Sequence, residues 1–309
     1  MGTALCKRLI REGRPVRGTF VSSKAHNSIS TGIEPVGMDP IGPATDWTHA
    51  LKGVDTVIHL AARVHVLHET SLDPLGEFRS VNTEGTRRLA EQAAAAGVRK
   101  FIFMSTVGVN GDNSGPKPYT ENSEPHAHNP YSISKYEAEL LLRGISSKSG
   151  MEVVVVRAPL VYGPGNPGNF LSLLRIVYRG YPLPLLSVDN RRSLLYIGNL
   201  IDVLITVLTH TASAGQTYLV SDGADVSVPE LIRRLAAALS VPARLFPMPA
   251  QAIRFFGALS GKRSLVNSLT NSLIVDISKI HHELNWTPPY TLNDGLRETT
   301  DWFKKEVLR

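Results

Sequence analysis

Apolar and β-branched residues gather in short runs along the first half of the chain, and helical periodicity fills the spaces between them. Val16 to Val21, Asp55 to Leu60, Lys100 to Ser105 and Met151 to Arg157 read as strands, the last with a run of valines from Val153 to Val156. Phe78 to Ala96 reads as an amphipathic helix closed by Gly97. Asn129-Pro130 supplies an N-cap and a first-turn proline for a second helix that runs to about Ser147. Uninterrupted apolar strands separated by helices require a parallel sheet covered on both faces, and the right-handed crossover makes the fold a doubly wound α/β.

Beyond Gly163 the pattern loosens. A loop rich in Gly, Pro and Asn leads to a helix over Phe170 to Arg179, and Leu194 to Ile197 and Thr217 to Val220 read as strands that rejoin the main sheet. Residues 223–309 are mostly helical in pattern. The expected division is residues 1–165 with 194–222 as a Rossmann-like nucleotide-binding domain, and 166–193 with 223–309 as a smaller C-terminal substrate lobe. A domain of this kind opens on a strand, a glycine-rich turn and a helix. Here Met1 to Ile10 already reads as the helix, so the first strand is expected to be missing, with Gly2 where the last glycine of the turn would stand.

The 309 residues are 42% hydrophobic and 19% charged, as in ordinary globular proteins, with a formal net charge of +6. The basic pairs Arg87-Arg88, Arg191-Arg192 and Arg233-Arg234 lie far apart, so no nucleic-acid surface is expected. Cys6 is the single cysteine and reads as a small buried hydrophobe; no disulfide can form within the chain, which fits a reducing cytoplasm. The N-terminus has no apolar signal-peptide core. The longest apolar stretch, Leu194 to Leu208, is interrupted by Gly198, Asn199 and Asp202, and no membrane partner is expected.

Gly163-Pro-Gly165-Asn-Pro-Gly168 matches G-x-G-x-x-G letter for letter. It is rejected as a dinucleotide site, because Pro164 and Pro167 have no N–H to aim at a pyrophosphate. The pair Tyr131 and Lys135 is more informative. On a helix the i,i+4 spacing sets both on one face, where the lysine ammonium would lower the phenol pKa and ready it for acid–base work. Ser105-Thr106 ends a strand, and active sites of open parallel sheets lie at strand carboxyl ends. The pairs His65/His68 and His126/His128 lack acidic or cysteine partners at ligand spacing, so no metal is expected. His59, inside an apolar strand, reads as a core histidine.

Five features stand in a telling order: His59-Leu-Ala-Ala62, Val81-Asn82 with Gly85-Thr86, Phe103-Met-Ser-Thr106 with Gly111, Tyr131 with Lys135, and Arg157 through Val161-Tyr-Gly-Pro164. Arg192 and Leu284-Asn-Trp-Thr-Pro288 continue the match. The chain thereby resembles the extended short-chain dehydrogenase/reductases of the NAD-dependent epimerase/dehydratase family. It looks most like UDP-glucose 4-epimerase-like proteins and the UDP-4-keto-sugar reductases of surface-polysaccharide synthesis.

The resemblance implies a role for particular residues. Tyr131 would be the acid/base, and Lys135 would lower its pKa and hold the nicotinamide ribose. Thr106 would contact the sugar O4, with Ser105 as second choice. Gly2, Asp39, Ala61, Ala62, Asn82 and Pro159 would line the cofactor, and Asn169 and Arg192 would hold the diphosphate of a UDP-sugar. Two-helix packing of the segments from Phe78 and from Pro130 would make a homodimer.

The expected missing strand and turn predict weak cofactor affinity and a slot in the sheet. Val21-Ser-Ser-Lys24 offers no carboxylate for a ribose 2′-hydroxyl, which leans the choice between NAD and NADP toward NADP. Three readings of the function stand open: 4-epimerase, 4-keto reductase, or a nucleotide-sugar-binding protein impaired in catalysis.

Overall fold

In the computed structural model, which describes residues 1–21, 31–64, 71–259, 261 and 263–308, every pair of named strands runs parallel. The main sheet has the order β3-β4-β5-β8, formed by β3 (Thr56–His59), β4 (Lys100–Thr106), β5 (Glu152–Ala158) and β8 (Thr217–Leu219). β1 (Val16–Phe20) and β2 (Ile33–Gly37) form one separate pair, and β6 (Leu160–Tyr162) and β7 (Leu194–Tyr196) another.

The helices in chain order are α1 (Gly2–Arg11), α2 (Thr48–Leu51), α3 (Pro74–Phe78), α4 (Gly85–Ala95), α5 (Pro130–Ser149) and α6 (Asn169–Tyr178). They continue with α7 (Ile197–Thr209), α8 (Val228–Leu239), α9 (Ala250–Leu259), α10 (Arg263–Thr270), α11 (Ser278–Leu284) and α12 (Leu292–Glu306).

Side chains alternate across a strand, and β4 shows why its sequence is apolar throughout. Ile102 and Met104 face one layer, packing with Val154 and Val156 of β5, Leu5 and Leu9 of α1, and α7. Phe101 and Phe103 face the other, packing with Leu89, Ala90 and Ala93 of α4 and with Ala138 and Leu142 of α5. Each such fully buried side chain contributes roughly 1.5–3 kcal/mol. This two-faced burial is the doubly wound arrangement read from the sequence.

Helix ends follow their local chemistry. Asn129 caps α5 through a reciprocal box with Ser132, and Gly150 ends it at φ 76°. The helix expected from Phe78 begins earlier, because Asp73 accepts from Gly76 N at 2.9 Å and Pro74 starts α3. Between α3 and α4 the chain widens into a π-helical turn, Arg79–Glu84, which buries Asn82 and Thr83 side by side.

One further expectation meets a different outcome. β7, expected in the main sheet, pairs instead with β6 in its own ribbon. The expected slot agrees with the ladders: β1 and β2 are hydrogen-bonded to each other and not to β3, while Val16 and Ile58 pack with Leu5 and Leu9 in one apolar cluster.

α6, α8, α9 and α12 build a second core around Tyr162, Phe170, Leu235 and Phe303. One carboxylate joins this helical layer to the sheet. Asp222, just past β8, accepts from Tyr162 Oη at 3.0 Å, Tyr196 N at 2.7 Å and Asn199 Nδ2 at 2.7 Å. Gly295 of α12 lies under the same rings: a Cβ there would stand 2.8 Å from Tyr196 Cγ. Gly295→Ala is expected to destabilise by about 1–3 kcal/mol through overpacking, against up to about 1 kcal/mol regained in helix propensity. Urea unfolding checks this, and a more stable variant would mean that the rings move aside.

Candidate active site

The carboxyl ends of β3, β4 and β5 face the N-terminal turns of α5, so parallel topology alone gathers the chemistry at one edge. Thr106 closes β4 half-buried, and its Oγ1 accepts from Gly108 N at 3.1 Å, leaving its own proton uncommitted by that bond. Ser105 is buried, and its hydroxyl donates to Glu139 Oε1 at 2.5 Å. Thr106 is therefore the better placed of the two to meet a substrate oxygen. Tyr131 lies in the first turn of α5 with its ring edge against Phe78, centroids 6.2 Å apart. Lys135, one turn on, is buried with Nζ 4.0 Å from the centre of the Phe103 ring.

Burial dominates the charges of this pair. It pushes the Tyr131 phenol up to about 12 and draws the Lys135 ammonium down to about 7, with Glu139 opposing the second shift. The lowering of the tyrosine expected from its spacing to the lysine is not seen; burial outweighs it. Both groups are dehydrated, and the ammonium is spent against an aromatic face.

Asn82 stands at the π-helical turn and is fully engaged. Its Oδ1 accepts from Arg63 N at 2.8 Å, and its Nδ2 donates to Arg63 O and Ser134 Oγ, each at 3.0 Å. It thus ties the segment after β3, which carries exposed Ala61 and half-buried Ala62, to α5. Pro159 is buried at the bend between β5 and β6. Asp39 is exposed just past β2. Asn169 is the exposed first residue of α6.

Arg192 is half-buried, with burial lowering its pKa, and donates from Nη1 to Asn271 O at 3.3 Å. Asn271 also lines a cavity of about 660 Å³ together with Asn113, Gln251, Arg254, Phe255 and Asn267. That cavity lies beside Arg192 and does not include Tyr131 or Lys135.

The sequence reading did not find a buried ion pair beneath the site. Arg157 of β5 donates to Glu139 from Nε at 3.0 Å and from Nη2 at 2.6 Å, and to Asn110 Oδ1 from Nη1 at 3.2 Å. All three residues are buried. Glu139 therefore touches the ends of both β4 and β5 while standing four residues after Lys135. An arginine directly after a valine run, within the strand, was the available signal.

His59 is buried, with Nε2 3.1 Å from Thr86 Oγ1 and its ring stacked near Phe103. Burial, aided by the Lys135 charge, lowers its pKa to about 3. An unfolded histidine titrates near 6.5, so the unfolded chain takes up a proton that the folded chain refuses as pH falls from about 6.5 to about 3. Stability should fall across that window by up to about 1.4 kcal/mol per pH unit. Urea unfolding at stepped pH reads the slope, and His59→Leu should flatten it; an unchanged slope would assign the acid sensitivity elsewhere.

The residues at this edge suit a dinucleotide. α1 starts at Gly2 without a side-chain cap, and nothing lies within 4 Å of the position a Cβ would take there. Such an uncrowded helix start favours an anion. Small residues at Ala61 and Ala62 let a ligand approach the backbone. Ser22, Ser23 and Lys24, invoked for the choice of cofactor, and His65 and His68 lie outside the described residues. Among the described residues no three His, Cys, Asp or Glu side chains gather at metal-binding distance.

A doubly wound parallel sheet bearing Tyr-x-x-x-Lys at its carboxyl edge defines a dinucleotide-dependent α/β protein of the short-chain type. Residues 1–221 match the NAD dependent epimerase/dehydratase family, and the chain belongs to it. It is similar to a UDP-glucose 4-epimerase of Vibrio cholerae, 43% identical over 265 residues that span 85% of this chain and 81% of the relative. It is 28% identical over 268 residues to the N-acetyl-alpha-D-glucosaminyl-diphospho-ditrans,octacis-undecaprenol 4-epimerase of Escherichia coli O157:H7, spanning 82% of this chain and 78% of that one. In fold it resembles the UDP-glucose 4-epimerase of Thermotoga maritima solved with UDP-glucose, with a TM-score of 0.80 at 22% identity over 99% of this chain and 96% of the other.

Proposed function

We propose that this chain, with NAD or NADP, carries out hydride chemistry at C4 of a UDP-linked hexose, as a 4-epimerase or a 4-keto reductase. The observation that carries the reading is the meeting of Thr106, Tyr131 and Lys135 at the carboxyl edge of the sheet, in a chain of this family. A nicotinamide held at this edge would supply the hydride chemistry, reversible for an epimerase and donation alone for a reductase. Thr106 holds O4 by a hydrogen bond, and Tyr131 removes or restores the O4 proton. Lys135, as ammonium, favours the phenolate and holds the cofactor ribose.

Gly2, Asp39, Ala61, Ala62, Asn82 and Pro159 line the cofactor in this reading, and Asn169 and Arg192 hold the diphosphate; a guanidinium suits that task by its forked donors. Residues 1–165 with 194–222 would carry the cofactor and 166–193 with 223–309 the sugar nucleotide. A homodimer through α3–α4 and α5 belongs to the same proposal, and Leu140 of α5 is exposed. The 43% relative supports the epimerase form.

The test is to supply UDP-galactose with NAD, and separately a UDP-4-keto sugar with NADH or NADPH. Interconversion of UDP-galactose and UDP-glucose without net cofactor change identifies an epimerase. Stoichiometric loss of reduced cofactor identifies a reductase. Binding of UDP-sugar with neither reaction would instead support a nucleotide-sugar-binding protein without catalysis.

A further inference from the structure

Two arginines converge on one asparagine at the wall of the cavity. Arg192 Nη1 donates to Asn271 O at 3.3 Å. Arg254 of α9 donates from Nη2 to Asn271 Oδ1 at 3.4 Å and from Nε to Thr270 Oγ1 at 3.3 Å. All three contacts are longer than the roughly 2.7–3.2 Å of an ordinary N–H···O bond, so they hold the guanidiniums weakly. Their acceptors are neutral. Neither arginine forms an ion pair among the described residues, and Asp112 acts on Arg192 only from beyond ion-pair distance.

The backbone fixes this convergence. Arg192 N donates to Val226 O at 2.9 Å, and Leu273 N donates to Arg191 O at 2.9 Å, so the lead into β7 is tied to the segment that carries Asn271. Buried Asn190 adds bonds from Nδ2 to Leu269 O at 3.1 Å and Asn271 O at 3.0 Å. On the other wall, Gly257 of α9 packs against Val266 of α10, which seats the helix carrying Arg254. Two like charges held on one residue repel, and an anion between them turns that repulsion into attraction. The cavity that Arg254 lines is about 660 Å³, the size of a small-molecule site. Asn113, Gln251 and Asn267 line it with amides, and Phe255, 61% exposed, offers a ring face. Forked guanidinium donors beside amides and an aromatic ring suit a diphosphate that carries an organic base.

We propose that Arg254 is a second diphosphate-binding residue, which grips the diphosphate of the sugar nucleotide from α9 while Arg192 grips it from the lead into β7. This rests on the reading of Arg192 given above. The resemblance assigns the diphosphate to Asn169 and Arg192 alone, and Asn169 does not line the cavity. On binding, both guanidiniums exchange long contacts with neutral oxygens for charge-assisted bonds to phosphate oxygens.

The full chain is titrated with UDP by calorimetry, a readout that needs no turnover. Arg254→Gln is expected to raise Kd by about tenfold, and Arg192→Gln by at least as much, as loss of a charge-assisted bond does. Arg254→Lys keeps the charge without the fork and should recover part of the loss. Urea unfolding of Arg254→Gln should match wild type, because the contacts it loses are long and lie at the surface. Raising salt to about 0.5 M should weaken UDP binding by wild type more than by Arg254→Gln. If Arg254→Gln binds UDP as wild type does while Arg192→Gln does not, the proposal is overturned and the reading of Arg192 stands. If Arg192→Gln also binds normally, or wild type does not bind UDP, that reading falls and the paired grip falls with it.

Discussion

Tyr131→Phe is expected to lower kcat/KM for the UDP-sugar by about a hundredfold to ten-thousandfold, the range a positioned acid–base group supplies. The ring's edge contact with Phe78 survives the change, so urea unfolding should shift little while turnover collapses. Cofactor binding, followed by nicotinamide fluorescence, should be retained or moderately weakened. This pattern separates lost chemistry from lost structure. A variant that keeps wild-type turnover would remove Tyr131 from the proton path and leave Thr106 and Lys135 without the group they are placed to serve.

The second large effect is on stability. Arg157→Leu would take the bidentate partner from the fully buried Glu139 carboxylate and leave it the Ser105 hydroxyl and the charge of Lys135, which burial itself weakens. An ion left without its partner in such a setting costs roughly 3–5 kcal/mol. Glu139→Leu added to Arg157→Leu should restore most of that, because a well-packed apolar pair often matches a buried ion pair. Urea unfolding of both variants checks the sign. A double variant as unstable as the single one would show that the cost lies in shape and not in charge.

The two changes also differ in their reach. The Glu139 carboxylate touches Ser105 at the end of β4 and Arg157 at the end of β5, the strands that bracket the site. Removing it loosens the alignment of both with α5. The rescued double variant is therefore expected to recover stability further than activity.

Strands whose side chains are buried on both faces were legible, because the requirement leaves uninterrupted apolar runs. Lys100 to Ser105 and Met151 to Arg157 lie within a residue of their observed bounds. β2 was hidden because Ile33-Glu-Pro-Val-Gly37 buries only Val36 and carries a proline, as edge strands do. α7 was hidden for a tertiary reason. The polar residues that interrupt its apolar run have distant partners: Asn199 bonds Asp222 and Tyr290, and Asp202 accepts from Trp286. β7 was seen as a strand, but its partner β6 was not, because Leu160 to Tyr162 follows β5 with only Pro159 between them.

That Tyr131 and Lys135 lie one turn apart on a single helix was legible from their spacing, and Ser105-Thr106 at a strand end was the signal that joined them to a site. Their protonation was not. The dehydration that raises one and lowers the other comes from Phe78, Phe103 and the packing of α5 on the sheet, which spacing does not encode. The Glu139–Arg157 pair was illegible for a related reason: the partners are on different elements and meet only once β5 is seated beside β4.

Asp222 receives hydrogen bonds from β6, β7 and α7 through Tyr162, Tyr196 and Asn199. This one carboxylate fastens the β6–β7 ribbon and the start of α7 to the end of β8, and drawing that ribbon away from the main sheet would break all three tethers at once. Arg192 sits on the connection that leads directly into β7. The same anchor therefore fixes where the chain carrying Arg192 enters the ribbon.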